Sequence, residues 1–263
     1  MTDRPNVLVP IRILEGESIP EGVPDLLANA HVILLGYHVI PDQTAPGQAR
    51  MQFEERASHR LDQFEEMLEE AGATVETRLV FTHEGQTTID RMIYEHDCIA
   101  VLVPKATSPP EDVLVAVRGT VGVDRIARVV AGLFADTDVA VTLFHLADED
   151  ETDEDVQTLL DGVADRLTEL GIDESAIRTR IGRGKDPKQA IADAADEFDA
   201  IVMGESDPSI ATFVFGMRAK QVAERFLGPV VVVQRERSKT ETETQTETET
   251  DGNPGEDGTD ESQ

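Results

Sequence analysis

Four short stretches of this chain combine residue types and spacing suited to holding an anion. Arg118 and Gly119 directly follow the apolar run Val113–Val117. Gly182 and Gly184 follow a second run near Ile177–Ile181. Gly204 breaks a third run, Ala200–Met203, and Ser206 comes two residues later. Gly216 lies inside the helical pattern that follows. The chemistry would be electrostatic rather than covalent. A guanidinium attracts phosphate or carboxylate, and glycine lets successive backbone N–H groups close around an oxyanion. A helix N-terminus adds its dipole. Arg118, Gly119, Gly184, Gly204, Ser206 and Gly216 are therefore the candidate binding residues, and Arg12 heads an equivalent position earlier in the chain.

Each candidate has a plainer reading. Arg118 is expected to pair with Asp207 or Glu205 and so fill the crevice it borders. Gly182-x-Gly184 is first of all a turn, and Ser206 and Ser209 are first of all helix caps. His38 and His145 could be acid–base groups or metal ligands, but neither has Cys or His at ligand spacing. Each closes an apolar run, so packing or a loop hydrogen bond is the expected role. No Ser/His/Asp nucleophile arrangement is visible. No base and metal site for hydrolysis can be assembled, so the chain is not expected to be an enzyme.

The elements that must position these residues alternate strand and helix. The second half reads as a strand at Val113–Val117, a helix burying Val123, Ile126, Ala127, Val130, Ala131 and Phe134, and a strand at Val139–Leu146. A helix burying Val156, Leu159, Leu160, Val163, Leu167 and Leu170 follows and stops at Gly171. Next come a strand at Ile177–Ile181, a helix opened by Asp186-Pro187, and a strand at Ala200–Gly204. A helix from Ser209 to Leu227 and a strand at Val230–Gln234 complete the set. Alternating elements with short continuous apolar strands imply a parallel sheet covered on both faces.

The first half repeats this layout in reduced form. Asn6–Arg12 (NVLVPIR) matches Asp112–Arg118 (DVLVAVR) 106 residues later. VILLGYHVI, ending at Ile40, matches VAVTLFHLA, ending at Ala147, which aligns His38 with His145. LEEAGA at Leu68–Ala73 matches LTELGI, and DCIAVLVP at Asp97–Pro104 matches DAIVMGES. Gly16, Pro20, Gly22 and Pro24 leave room for only a short first helix. After Pro104 the chain runs straight into the second copy, so the fourth helix and fifth strand of the first copy are missing. The expected domains are 1–109, 110–237 and a disordered acidic tail, 238–263.

The net charge is −30, from 53 acidic against 23 basic residues. Five of the basic residues are lysines: Lys105, Lys185, Lys188, Lys220 and Lys239. Acid-rich, lysine-poor composition resembles that of proteins from salt-loving archaea, where molar salt shortens the Debye length to about 3 Å and screens self-repulsion. The charge argues against nucleic acid or an anionic membrane as partner through a broad basic face. No apolar stretch approaches bilayer length, and no signal-peptide core opens the chain. The single cysteine, Cys98, fits a reducing compartment and reads as a core residue. A cytoplasmic location is the expectation.

Five segments together resemble the universal stress protein (UspA) family in tandem arrangement: VLVAV, LFHL, GKDPKQAI, AIVMGES and FLGPVVVV. The likeness covers about residues 4–235. It implies an α/β fold of two Rossmann-like (adenine nucleotide alpha hydrolase-like) domains, with sheet order 3-2-1-4-5 in the second. The implied site is the crevice between strands one and four, where open α/β sheets bind ligands. Many members bind ATP there, through an acidic residue closing strand one and a G-x2-G-x9-G-[S/T] segment after strand four. This chain departs from that pattern. Arg118 and Arg12 replace the acid, Asp207 stands at the motif's second glycine, Pro208 lacks a donor, and Met217 follows Gly216.

The expected function is thus a non-catalytic binding or regulatory module with a degenerate nucleotide site and no cofactor. An ATP- or AMP-binding stress sensor using the second crevice is one alternative. A regulatory partner of a membrane transporter or another stress protein is the other. The apolar run Phe213–Phe215 and the edge of strand 230–234 predict a homodimer through that strand and helix 209–227.

Overall fold

Valine-, leucine- and isoleucine-rich runs place side chains on alternating sides of a strand, so both sides need cover. In the computed structural model, which describes residues 3–118, 122–183, 197–205 and 228–235, these runs join one nine-stranded sheet. The N-terminal half supplies β1 (Asn6–Arg12), β2 (His31–Val39), β3 (Thr74–Thr82) and β4 (Ala100–Val103). The C-terminal half supplies β5 (Asp112–Ala116), β6 (Ala140–Ala147), β7 (Ile177–Arg183), β8 (Ala200–Gly204) and β9 (Val230–Val233). The order is β3-β2-β1-β4-β9-β8-β5-β6-β7. Within the C-terminal half this is the expected 3-2-1-4-5 order, all parallel. The N-terminal half keeps 3-2-1-4 and has no fifth strand.

The helices follow the same halves. Helix α1 (Val23–Leu26) is a single turn, as its prolines and glycines require. Helix α2 (Pro46–Glu70) buries Ala57, Leu61, Phe64 and Leu68. Helix α3 (Gly85–Glu95) is an element the sequence reading does not name. It buries Ile89, Met92 and Ile93 against the other face of the sheet, with Leu8, Ile33 and Leu35. Helix α4 (Val123–Phe134) and helix α5 (Asp153–Glu169) share one continuous core with α2 across both halves. Helix α5 is capped by the Thr152 hydroxyl, which accepts from the Asp155 amide at 3.2 Å, and three acids sit in its first turn. Gly171, at φ 105°, follows its last turn.

The expectation for strand 230–234 needs correction. It is not an exposed edge waiting for a second chain. It pairs antiparallel, as expected of that edge, but with β4 of the same chain: Val101 opposite Val232 and Leu102 opposite Val231. The Gln234 amide extends the ladder to the Ile99 carbonyl at 2.9 Å. The reason is the truncation of the first copy. Without a fifth strand its β4 edge would leave backbone groups unpaired, and the β9 edge has the same deficit. Joining the two edges satisfies both. The second element of the expected dimer surface, helix 209–227, lies outside the described residues, as do the helix opened by Asp186 and the acidic tail.

Two further contacts tie the halves together. The segment after β4 is held on both sides: the Thr107 amide donates to the Glu21 carbonyl at 3.2 Å, and its hydroxyl to the Asp199 carbonyl at 2.8 Å. The Asp199 carboxylate then accepts from the amides of Glu111 and Asp112. Helix α4 is buried over more of its circumference than its amphipathic stripe predicts, with Val129 and Leu133 included. That extra side meets the N-terminal half. Asn29 donates its amide to the Leu133 carbonyl at 3.0 Å, and Pro5 and Asp3 lie against Gly132, where a Cβ would come within 2.7 Å of the Pro5 ring.

Candidate crevice at the ends of β5 and β8

The order of strands reverses at β5, which pairs with β6 on one side and β8 on the other. In open α/β sheets the ligand crevice lies beyond the carboxyl ends of the strands at such a reversal, here β5 and β8. Arg118 and Gly204 stand at those two ends. Arg118 is exposed, and Gly204 is half-buried opposite Val233 of β9. Gly119, Gly184, Ser206 and Gly216 lie outside the described residues, as does Asp207. The structure thus brings two of the six candidates to one place.

One carboxylate that feels the Arg118 charge is not among those the sequence reading names. Glu151, in the loop between β6 and α5, has its carboxyl held below the ordinary range. The first cause is a hydrogen bond with His145, then one from the Asp148 amide at 2.7 Å; burial opposes them, and the charges of His145 and, least, of Arg118 add to the lowering. His145 is buried near the end of β6. Its Nδ1 lies 2.9 Å from the Val117 carbonyl oxygen, and its Nε2 lies 3.0 Å from Glu151 Oε2. Glu151 follows His145 by six positions, across the end of β6 and into the loop after it, a spacing with no periodicity to betray it. Of the two acids expected to meet Arg118, Glu205 is described. Its carboxylate accepts from the Arg235 amide at 3.0 Å, and its own amide donates to Val233 at 2.7 Å.

The corresponding end of the N-terminal half is engaged differently. Arg12 Nε donates to the Tyr37 hydroxyl at 3.1 Å and Nη1 to Glu15 at 3.2 Å, while the Arg12 amide donates to Glu17 at 2.6 Å. The bond to Tyr37, seconded by Glu15, pushes the guanidinium pKa above its ordinary value. Ile13 and Ile19, in the same loop, are buried. The loop between β1 and α1 is therefore folded down over the strand end by its own apolar and acidic residues.

Two sequence expectations are corrected here. His38 and His145 are aligned by the repeat but do not occupy equivalent positions. Arg12 pairs with Tyr37, so His38 lies one residue beyond it, whereas Ala116 pairs with Phe144, so His145 falls beside Val117, one residue before Arg118. The second strand has slid by two residues, about 6.6 Å at 3.3 Å per residue, which preserves the sheet face but changes the neighbours. His38 accordingly packs edge-on to Phe53 and Phe81, with centroids 5.8 Å and 6.2 Å away, and its buried Nδ1 has no partner. The second correction concerns Gly182, which is not in a turn. It lies within β7, and a Cβ there would come 2.6 Å from the Phe144 ring, so the glycine makes room for that ring.

Other reactive groups are accounted for. Burial pushes the Cys98 thiol up to about 12, leaving it protonated and inert at neutral pH. Among the described residues there is no group of three or more His, Cys, Asp or Glu side chains placed to hold a metal. No helix among them is long and apolar enough to cross a membrane.

Residues 110–234 match the model of the universal stress protein family. No curated protein matches the sequence. Among solved structures, a universal stress protein from Archaeoglobus fulgidus DSM 4304 is similar at 18% identity, over 88% of this chain and 96% of that one, with a TM-score of 0.62. A universal stress protein from Archaeoglobus fulgidus in complex with dAMP is 25% identical over 46% of this chain and 96% of its own, with a TM-score of 0.35. A universal stress protein in complex with cAMP is 22% identical over 48% of this chain and 98% of its own, with a TM-score of 0.38. The first likeness extends the fold over both halves. The other two span less than half of the chain, and nothing about its own ligand follows from them.

Proposed function

We propose, from the match of residues 110–234 to the universal stress protein family, that the protein is a non-catalytic binding or regulatory module of universal-stress type. Its C-terminal crevice is a nucleotide site that has lost its ligand. The observation that carries this reading is Arg118. A cation closes β5 where a nucleoside-binding member of the family has an acid, and its charge bears on Glu151 at the crevice mouth. The sequence after β8 supports the same reading: Asp207 would repel a phosphate, and Met217 offers no hydroxyl. Function then rests on surfaces. The remaining candidate for a contact with a second copy or another protein, a transporter's cytoplasmic part included, is the apolar run Phe213–Phe215 on the segment 209–227.

We assign domains of 1–109 and 110–237, with 238–263 as a solvating acidic tail. The composition favours a cytoplasm of high salt. The test of the vacant site is direct. The protein is purified in molar KCl, denatured, and its supernatant assayed for adenine nucleotide. The proposal requires none at stoichiometric level, and one nucleotide per chain would overturn it. A second reading, a sensor for an AMP-type nucleotide, draws on the survival of Gly204 at the end of β8. It predicts saturable nucleotide binding that a bulky residue at Gly204 abolishes.

A further inference from the structure

His145 has two ring nitrogens and two partners, and both partners are acceptors. A backbone carbonyl oxygen can only accept, so the Nδ1 contact with Val117 at 2.9 Å requires a proton on Nδ1. Glu151 Oε2 also accepts from the Asp148 amide at 2.7 Å, the environment of an ionised carboxylate. The Nε2 contact at 3.0 Å therefore requires a second proton, on Nε2. A neutral imidazole carries one N–H and can make one of these bonds, never both. Burial of the ring, 2% exposed, leaves water little access to replace either partner.

We propose that His145 is a proton-dependent strut: as imidazolium it ties the carboxyl end of β5 to the loop between β6 and α5, and loss of one proton releases that loop. The charged group in contact with it is Glu151, from the loop, whose carboxylate also feels Arg118 at the end of β5. The neighbouring strand β7 places uncharged Ile181 beside it, and the next charges on that side, Arg183 of β7 and Asp153 of α5, are paired with each other. With the ring neutral and Nδ1 still bonded to Val117, the Nε2 lone pair would face a carboxylate. Glu151 then swings away and takes with it the acceptor of the Asp148 amide. Residues 148–152 lose two anchors at one step. The inference does not depend on whether the crevice takes a nucleotide. His38 is the internal control, because it has no acid partner and its Nδ1 is without a hydrogen bond.

The test is imidazole 15N–1H NMR on the full chain in molar KCl, with Glu151→Gln and His38→Gln as comparisons. A state with protons on both His145 nitrogens is expected in the folded protein, with the two ring N–H groups bonded to Val117 and Glu151. In Glu151→Gln, where the side-chain amide can donate to a bare nitrogen, the ring should relax to one neutral tautomer. Amide exchange at residues 148–152, corrected for the intrinsic effect of pH, should rise by about tenfold or more when the second proton is lost, as expected for removing a charge-assisted bond. A folded wild type in which no pH yields the doubly protonated ring would overturn the proposal. So would an imidazolium signal that Glu151→Gln leaves unchanged, or loop exchange that ignores the titration. The first of these needs no variant to fold.

Discussion

The two halves of this chain start from the same motif and end as different structures. In the C-terminal half, β5 to β9 complete the 3-2-1-4-5 sheet, and a buried histidine is satisfied at both nitrogens beside the crevice. In the N-terminal half the sheet stops at β4, the loop after β1 folds down over its own arginine, and the aligned histidine is left with an unpartnered nitrogen. The truncation explains the difference. A half without a fifth strand cannot close its own edge, so it borrows β9 from its neighbour; its second strand also sits two residues away from the register of β6 on β5, an even shift that keeps the same sheet face. What the first half loses as an independent domain it gains as a partner that caps the second.

Breaking the junction should have the largest effect. Val232 is 1% exposed and sits opposite Val101 between β4 and β8. Val232→Asp buries an unpaired charge there and is expected to cost more than about 3 kcal/mol, read as a lowered denaturation midpoint in molar KCl. A variant of undiminished stability would mean that the halves do not share this ladder.

The contact between α4 and the N-terminal segment gives a smaller effect with an informative sign. Gly132→Ala should gain from helix propensity but meets the Pro5 ring and the Asp3 carbonyl, so a net loss of about 1–2 kcal/mol is expected. Gly162→Ala, in α5 with open space around it, should instead gain up to about 1 kcal/mol. If both substitutions stabilise, α4 does not bear on the first half as described.

The histidine contrast can be sharpened by pH. The Glu151 carboxyl is depressed in the folded state, so its contribution to stability is present above the unfolded carboxylate value, about 4.3, and is lost as pH falls through the lower folded value. Glu151→Gln should flatten the acid limb of the stability curve slightly. His38→Gln should leave that limb unchanged, because no carboxylate answers His38. An acid limb identical in wild type and Glu151→Gln would remove Glu151 from the account.

The strand order of the C-terminal half was legible because continuous apolar runs and glycine stops are local signals, as at Ala200–Gly204 and Leu167–Gly171. The missing fifth strand of the first half was legible from Pro104 running into Pro109-Pro110. What that absence does to β9 was not, because an edge strand reads the same whether its partner is another molecule or the other half of its own chain. The Gly182 packing site resembles a turn in sequence, since the ring that occupies its space, Phe144, is brought there by the register of a neighbouring strand. Glu151 was invisible for a similar reason: one acid among the five of 148–153 meets His145 only through the path of a loop.

Calorimetric titration of ATP, ADP and AMP, with magnesium and molar KCl, tests the central claim most directly. Salt must be high, because a chain of net charge −30 that unfolds in dilute buffer would imitate a vacant site. With the fold verified by circular dichroism, the account predicts no saturable heat up to millimolar nucleotide. Saturable binding in the micromolar range would contradict it and make Arg118 a phosphate ligand.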